Sequence, residues 1–231
     1  MHIHSSGKKW VRYTVFYMKT IVVTGAHGGI GEAIVEALTV AGHTVIGVDR
    51  KDTDVSNFAQ VQRLQEKVLS DVDHIDWLVC AHGYLDPMTI LEEQSPESIE
   101  VTFLVNSVSL AYLAKAFLRH IPAGGGIIAL SSTASLHASG ATPVYSASKA
   151  AVNSFMQTLA HNRKEQVFYA LCPGPTNTTL RERFAHDAAK QQSPDVVASV
   201  VLELVNGSGE HTSGDIIVVR DSVTTTFEKL S

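Results

Sequence analysis

Short apolar runs punctuate this chain at intervals, each followed by a turn and then by a segment of helical periodicity. Thr20-Ile21-Val22-Val23, Thr44-Val45-Ile46-Gly47-Val48, Asp76-Trp77-Leu78-Val79-Cys80, Ile127-Ile128-Ala129-Leu130, Val167 to Cys172 and Ile216-Ile217-Val218-Val219 read as buried strands. Between them, Glu32 to Ala41, about Ser56 to Leu69, a long segment opened by Ser95-Pro96-Glu97-Ser98, about Tyr145 to His161, and a segment opened by Ser193-Pro194-Asp195 read as helices. Asp54-Val55 reads as a short vestigial strand edge, and Val219 as the end of the sheet. Strands without polar alternation, interleaved with helices, predict an α/β fold: a mostly parallel sheet covered on both faces.

Composition narrows this only a little. The 231 residues suit one domain, and 45% hydrophobic with 18% charged residues and a net charge of -5 describe an ordinary globular chain with no nucleic-acid signature. No apolar run is expected to reach the roughly 20 residues of a membrane span. Cys80 and Cys172 lie inside apolar runs, which predicts reduced, packed thiols and a cytoplasmic setting. Residues 1–17 carry Lys8, Lys9 and Arg12 without an acid and read as an appendage, leaving 18–231 as a single domain. The eleven histidines show no spacing with acids or cysteines that predicts a metal site.

Four stretches carry candidate chemistry. Thr24-Gly25-Ala26-His27-Gly28-Gly29-Ile30-Gly31 sits between a strand and a helix, where glycines let the backbone approach a pyrophosphate and a helix N-terminus offers free N–H groups. Asp49 ends the second strand, where a carboxylate accepts from ribose hydroxyls and repels a 2′-phosphate; Arg50 beside it pulls toward that phosphate. The balance favours NAD over NADP, and Asp49 also reads as a plain turn residue. Tyr145 and Lys149 lie one helical turn apart, so an ammonium there favours the phenolate and suits the phenol to acid/base work. That pair alone also fits a solvated helix surface. Ser132 follows a strand whose carboxyl end would share a crevice with the glycine loop, and a hydroxyl there suits a substrate oxygen. Asn106, midway along an apolar helix, reads either as a helix–helix hydrogen bond or as an anchor for a water or a lysine.

These residues together resemble the short-chain dehydrogenase/reductase family from about Lys19 to Val219. The glycine loop with Gly25, Gly29 and Gly31 is similar to its cofactor loop, and Asn106, Ser132, Tyr145 and Lys149 match its catalytic tetrad in order and spacing. Pro173-Gly174-Pro175-Thr176-Asn177-Thr178 resembles its nicotinamide-side loop. The resemblance implies a Rossmann-type, doubly wound, three-layer fold of seven parallel strands. It also implies hydride transfer between a nicotinamide and a small alcohol or carbonyl substrate. Tyr145 is then the acid/base, Lys149 the ribose ligand that lowers its pKa, Ser132 the substrate-orienting hydroxyl and Asn106 the holder of a proton-relay water. The expected cofactor contacts are His27, Ile30, Asp49, Arg50, Asp54, Val55, Pro173, Gly174, Thr176 and Thr178 beside the glycines. A homodimer or homotetramer is expected through the helices carrying Asn106 and Tyr145.

One departure stands out: Cys80-Ala81-His82-Gly83 replaces the family's usual Asn-Asn-Ala-Gly. That puts Ala81, His82 and Gly83 beside the expected cofactor, with His82 either a contact or a plain loop residue, and it keeps open an inactive dinucleotide-binding sensor or scaffold as a second reading. His137 is a candidate for the substrate pocket, and Arg181 and Arg183 sit in an expected lid. An epimerase or dehydratase fits less well, for want of a larger substrate domain.

Overall fold

The computed structural model describes residues 17–86, 90–137, 143–178, 191–220 and 223–227. Seven strands form one sheet: β1 (Thr20–Thr24), β2 (Thr44–Val48), β3 (Trp77–Cys80), β4 (Gly126–Leu130), β5 (Val167–Pro173), β6 (Ile216–Arg220) and β7 (Val223–Thr226). Their spatial order is β2-β1-β3-β4-β5-β6-β7, parallel through β6, with β7 antiparallel to β6. Two expectations are therefore corrected. Asp54-Val55 is not a strand but part of the turn leading into a helix, and the seventh strand is Val223–Thr226, so the sheet is not parallel throughout.

The helices are α1 (Gly29–Val40), α2 (Phe58–Asp71), α3 (Pro96–Phe103), α4 (Ser109–Phe117), α5 (Pro143–Asn162) and α6 (Pro194–Asn206). Their ends follow local chemistry. Asn57 caps α2 by accepting from the Gln60 N–H, Ser95 caps α3 by accepting from Ser98 with Pro96 in the first turn, and Gly207 ends α6 in the left-handed conformation. Between α3 and α4 the expected continuous helix is interrupted by a π-helical segment, Leu104–Val108, closed by the Ser109 N–H donating to Leu104 O five residues back.

Apolar positions split by strand parity between two cores. Val22, Leu78, Ile127, Phe168 and Ala170 face α2, α4 and α5. Ile21, Val23, Val79, Ile128, Leu130 and Leu171 face α1 and α6. Burial on both faces is why the strands read as unbroken apolar runs. Phe117 and Phe168 are fully buried on the first face, each worth about 3 kcal/mol against exposure. Pro96–His120 is long and apolar enough by length and composition to cross a membrane, contrary to the reading of the sequence, with a mean hydropathy of 1.5. In the fold it packs on the sheet, burying Leu110, Leu113, Ala114 and Phe117.

After β1 the chain moves outward to β2, then crosses back to place β3 on the other side of β1. The carboxyl ends of β1 and β3 therefore flank the switch point, where open α/β sheets bind ligands.

Candidate active site

A cleft of about 530 Å3 opens at that switch point. Its floor is the glycine loop. Gly25 takes a φ of +73°, and a Cβ there would lie 2.7 Å from His82 Cα and N. Only glycine tolerates both. A Cβ on Gly31 would meet Gly25 O at 2.0 Å, and one on Gly29 would meet the Thr178 side chain at 2.9 Å. Gly28 precedes α1 without a side-chain cap, so the first-turn N–H groups of α1, at Gly29, Ile30 and Gly31, border the cleft. Tight glycine packing, uncapped N–H groups and the positive end of a helix dipole fit a pyrophosphate.

One flank is β2. Asp49, Arg50, Asp54 and Val55 line the cleft as expected, together with Val48, Thr53 and Ser56, which the sequence reading did not select. The Asp49 carboxylate accepts from His27 N at 3.0 Å and from Arg50 N at 2.7 Å, which fixes both of its oxygens at the mouth of the loop. His27 Nδ1 lies 3.6 Å from Asp49, on an imidazole 60% exposed, and His27 itself is outside the cleft lining. A second groove, of about 590 Å3, runs between β2 and α2; Asn106, Ser132, Tyr145 and Lys149 are in the lining of neither, the tetrad lying behind the Gly83 edge of the first.

The other flank is the end of β3 and the π-helical segment: Ala81, His82, Gly83, Tyr84, Leu104 and Val105. Asn106 is buried, and its amide is used by protein groups. Nδ2 donates to Tyr84 O and to Ser148 Oγ, at 2.9 and 3.0 Å, and Oδ1 accepts from Tyr84 N at 2.7 Å. Asn106 thus supplies a helix–helix hydrogen bond and also clamps the backbone that follows Gly83. Ser109 is missed by sequence reasoning because its partners are remote: its hydroxyl donates to Val105 O at 2.6 Å and meets His82 Nε2 at 2.7 Å.

Lys149 is the buried cation of the site. Its Nζ donates to Leu130 O at 2.8 Å, and a Cβ on Gly83 would lie 3.4 Å from Nζ and 3.5 Å from Asn106 Oδ1. Gly83 is thus the point where Lys149 and Asn106 converge. Burial lowers the Lys149 pKa to about 8, with Cys172 and Cys80 pulling the other way. Its Nζ sits 5.9 Å from the centroid of the Tyr145 ring, one turn earlier on α5. Ser131 Oγ donates to Lys149 O at 2.9 Å, which ties the end of β4 to that same turn of α5. Ser132 follows, its Oγ accepting from Ala134 N at 3.1 Å, so its own hydrogen is left to donate.

The expected nicotinamide-side residues divide. Thr178 lines the cleft against Gly29. Pro173 is the last residue of β5, and Gly174 N donates to Val219 O. Thr176 is buried, its hydroxyl donating to Gly174 O and accepting from Gln192 Nε2, which shapes the loop. His137 is exposed just after the short turn Thr133–Ser135. Arg181, Arg183 and the rest of the expected lid (179–192) lie outside the described residues, except Gln191 and Gln192 at its end, as does all but the last residue of the 1–17 appendage. Among the described residues no cluster of histidines, cysteines and acids is arranged to hold a metal.

Comparison with known proteins matches this geometry. A family profile described as enoyl-(acyl carrier protein) reductase covers residues 25–220. A short-chain dehydrogenase/reductase of Pestalotiopsis microspora is 29% identical over 201 residues, 76% of this chain and 74% of the relative. Among solved structures, a Brucella melitensis 3-ketoacyl-(acyl-carrier-protein) reductase complexed with NADH superposes with a TM-score of 0.82 at 21% identity, over 89% of this chain and 98% of the other. A Burkholderia cenocepacia short-chain dehydrogenase in complex with NADP does so with a TM-score of 0.76 at 23% identity, over 88% and 96%. With most of its length matched by the profile, the chain belongs to the short-chain dehydrogenase/reductase family of oxidoreductases.

Proposed function

We propose that this oxidoreductase interconverts a secondary alcohol and a ketone or aldehyde, with NAD(H) as its cofactor and Tyr145 as general acid/base. The observation that carries this is the buried Lys149 ammonium, held by Leu130 O and by the packing around Gly83, on the helix turn that presents Tyr145. A cation fixed at that range favours the phenolate over the phenol, which lets the tyrosine exchange a proton near neutral pH.

The nicotinamide ring, when bound, supplies or accepts the hydride. The chain's own residues do the rest. The glycine loop and the first turn of α1 hold the pyrophosphate, and Asp49 takes the adenosine ribose hydroxyls. Tyr145 gives a proton to the carbonyl oxygen, or takes it from the alcohol, while the Ser132 hydroxyl donates to that same oxygen and orients it. Asn106, by clamping Tyr84 from both sides, keeps Gly83 flat against Lys149. The preference for NAD rests on Asp49: a fixed carboxylate repels a 2′-phosphate, whereas Arg50 beside it is exposed. The relatives are complexed with NADH in one case and NADP in another, so this choice is read from Asp49 alone. The same reading carries a cytoplasmic homodimer or homotetramer joined through α5, where Ala147 and Ser154 are exposed.

The test is Tyr145→Phe. Turnover of ketones with NADH should fall by about 10²–10⁴, while NADH still binds, followed by the fluorescence of the reduced nicotinamide. Normal turnover in that variant would remove Tyr145 from the chemistry, and a wild-type protein that binds NADH but turns over no alcohol or carbonyl would favour a sensor.

A further inference from the structure

His82 stands where the family resemblance leads one to expect a small side chain, and the structure gives it three ties. Its backbone packs against Gly25, close enough that a Cβ there would touch it. Its Nδ1 is 2.6 Å from Thr24 Oγ1, at the end of β1. Its Nε2 is 2.7 Å from Ser109 Oγ, at the start of α4. Ser109 in turn donates to Val105 O inside the π-helical segment, next to Asn106.

The direction of each hydrogen bond in this chain follows from one fixed point. A carbonyl oxygen only accepts, so the single hydrogen of the Ser109 hydroxyl is committed to Val105 O. Ser109 Oγ must then accept from His82, which puts a hydrogen on Nε2. A neutral ring has no hydrogen left for Nδ1, which accepts from the Thr24 hydroxyl. Neutrality is favoured by the surroundings, since the residue is half-buried with its ring withdrawn from water and its charged neighbour, Lys149, has the same sign as an imidazolium; against a backbone contact with Val105 that pulls the other way, these hold the His82 pKa down to about 3. The remaining titratable neighbour, Cys80 on β3, is itself held neutral by burial.

We infer that His82 is a positioning residue, a neutral imidazole protonated at Nε2 that locks the π-helical turn carrying Asn106 to the end of β1 and so sets the flank of the cleft at Gly83. This rests on the oxidoreductase reading above for its functional consequence, but not for its chemistry. β1 and β3 stay paired to their ends, Thr24 opposite Cys80, and it is the loops leaving them that diverge; the turn after β3 would otherwise be held there by the Ala81 N–H bond to Thr24 O and by Asn106. The imidazole adds a rigid strut across the gap, from Thr24 to Ser109. Hydrogen bonds in such a chain, largely shielded from water, are costly to leave half made, because the orphaned partner keeps its desolvation penalty.

Two conservative replacements separate the two ends of the strut. In His82→Gln the side-chain amide reaches far enough to donate to Ser109, whereas in His82→Asn the shorter amide offers an acceptor to Thr24 and loses Ser109. If the link to the π-helical turn is what matters, His82→Gln keeps NADH affinity and kcat within about threefold of wild type. His82→Asn and His82→Ala each lose roughly tenfold or more in NADH affinity, about 1.4 kcal/mol or more. A lower melting temperature with unchanged NADH binding and turnover in His82→Asn and His82→Ala would reduce His82 to a packing role and overturn the proposal. A second readout needs no variant to fold well. In wild-type protein labelled with 15N-histidine, the His82 ring, assigned by its disappearance in His82→Gln, should show a protonated Nε2 and a bare Nδ1 unchanged from pH 6 to pH 8. A ring protonated at Nδ1, or one titrating in that range, overturns it. That spectrum stands or falls independently of whether Tyr145→Phe abolishes turnover.

Discussion

The two flanks of the cleft are built on opposite principles. On the β2 side the working groups are charged and near the surface: His27 is 60% exposed, Arg50 is exposed, and Asp49 is held by two backbone N–H groups. On the β3 side they are withdrawn from water and linked: Lys149 and Asn106 are each 3% exposed, Ser148 hydrogen-bonds Asn106, and His82 and Ser109 bond each other beside them. Charges near water interact weakly and are screened, so the first flank can discriminate between cofactors without perturbing the fold. Charges away from water shift strongly, so the second flank can tune a proton donor but draws on folding stability to do so.

Removing the buried cation should break this contrast most visibly. Lys149→Met, which takes the ammonium from beside Tyr145, is expected to lower kcat by about 10³, measured with saturating NADH. The same variant should be more stable than wild type at neutral pH. The Lys149 pKa falls from 10.5 in the unfolded chain to about 8 in the fold, so the folded state binds fewer protons between those values. The penalty, about 3 kcal/mol, is complete below pH 8 and fades as pH rises toward 10.5. The stability gap between Lys149→Met and wild type, read by urea denaturation, should therefore close over that window, whatever the buried thiols contribute to both proteins alike.

A smaller effect sharpens the catalytic side of the comparison. As Lys149 loses its proton above about pH 8, kcat/KM should fall about tenfold per pH unit, and Lys149→Arg, which keeps its charge, should push that limb to higher pH. On the exposed flank, Asp49→Ala should weaken NADH binding roughly tenfold, as two charge-assisted hydrogen bonds are lost, and bring NADPH affinity closer to it. Stability should be nearly untouched. Last, His27→Ala removes an exposed pair and should change NADH affinity by less than about threefold, an effect that added salt erases.

How far the sequence reveals each flank follows from how each is made. Glycine spacing, the Asp49 position and the Tyr145/Lys149 turn are local patterns, and the glycine loop, β1, β2 and α5 lie where those patterns put them. The buried flank depends on contacts distant in sequence. His82 meets Thr24 at a separation of 58 residues and Ser109 at 27, and nothing in the composition of either neighbourhood marks them as partners. The π-helical segment leaves no trace in Leu104-Val105-Asn106-Ser107-Val108 because an extra residue in a helical turn does not alter which types are apolar. Strand β7 is missed for the opposite reason. Val223-Thr224-Thr225-Thr226 lacks an apolar run, and its place is set by pairing with β6, with Thr225 and Thr226 exposed at the sheet edge. Asp54-Val55 fails as a strand because the stretch is taken up by turns: Thr53 N returns to Asp49 O, and Asp54 accepts from Ser56.

The two thiols, Cys80 at the end of β3 and Cys172 in β5, are the chain's entire cysteine content, and both are buried. Burial raises both, Cys80 to about 12, so neither forms a thiolate at neutral pH. For a labelling chemist the native fold is therefore a silent background: a single cysteine introduced at the exposed Val40 or Thr225 would take a maleimide dye or spin label alone, without either native residue having to be mutated away.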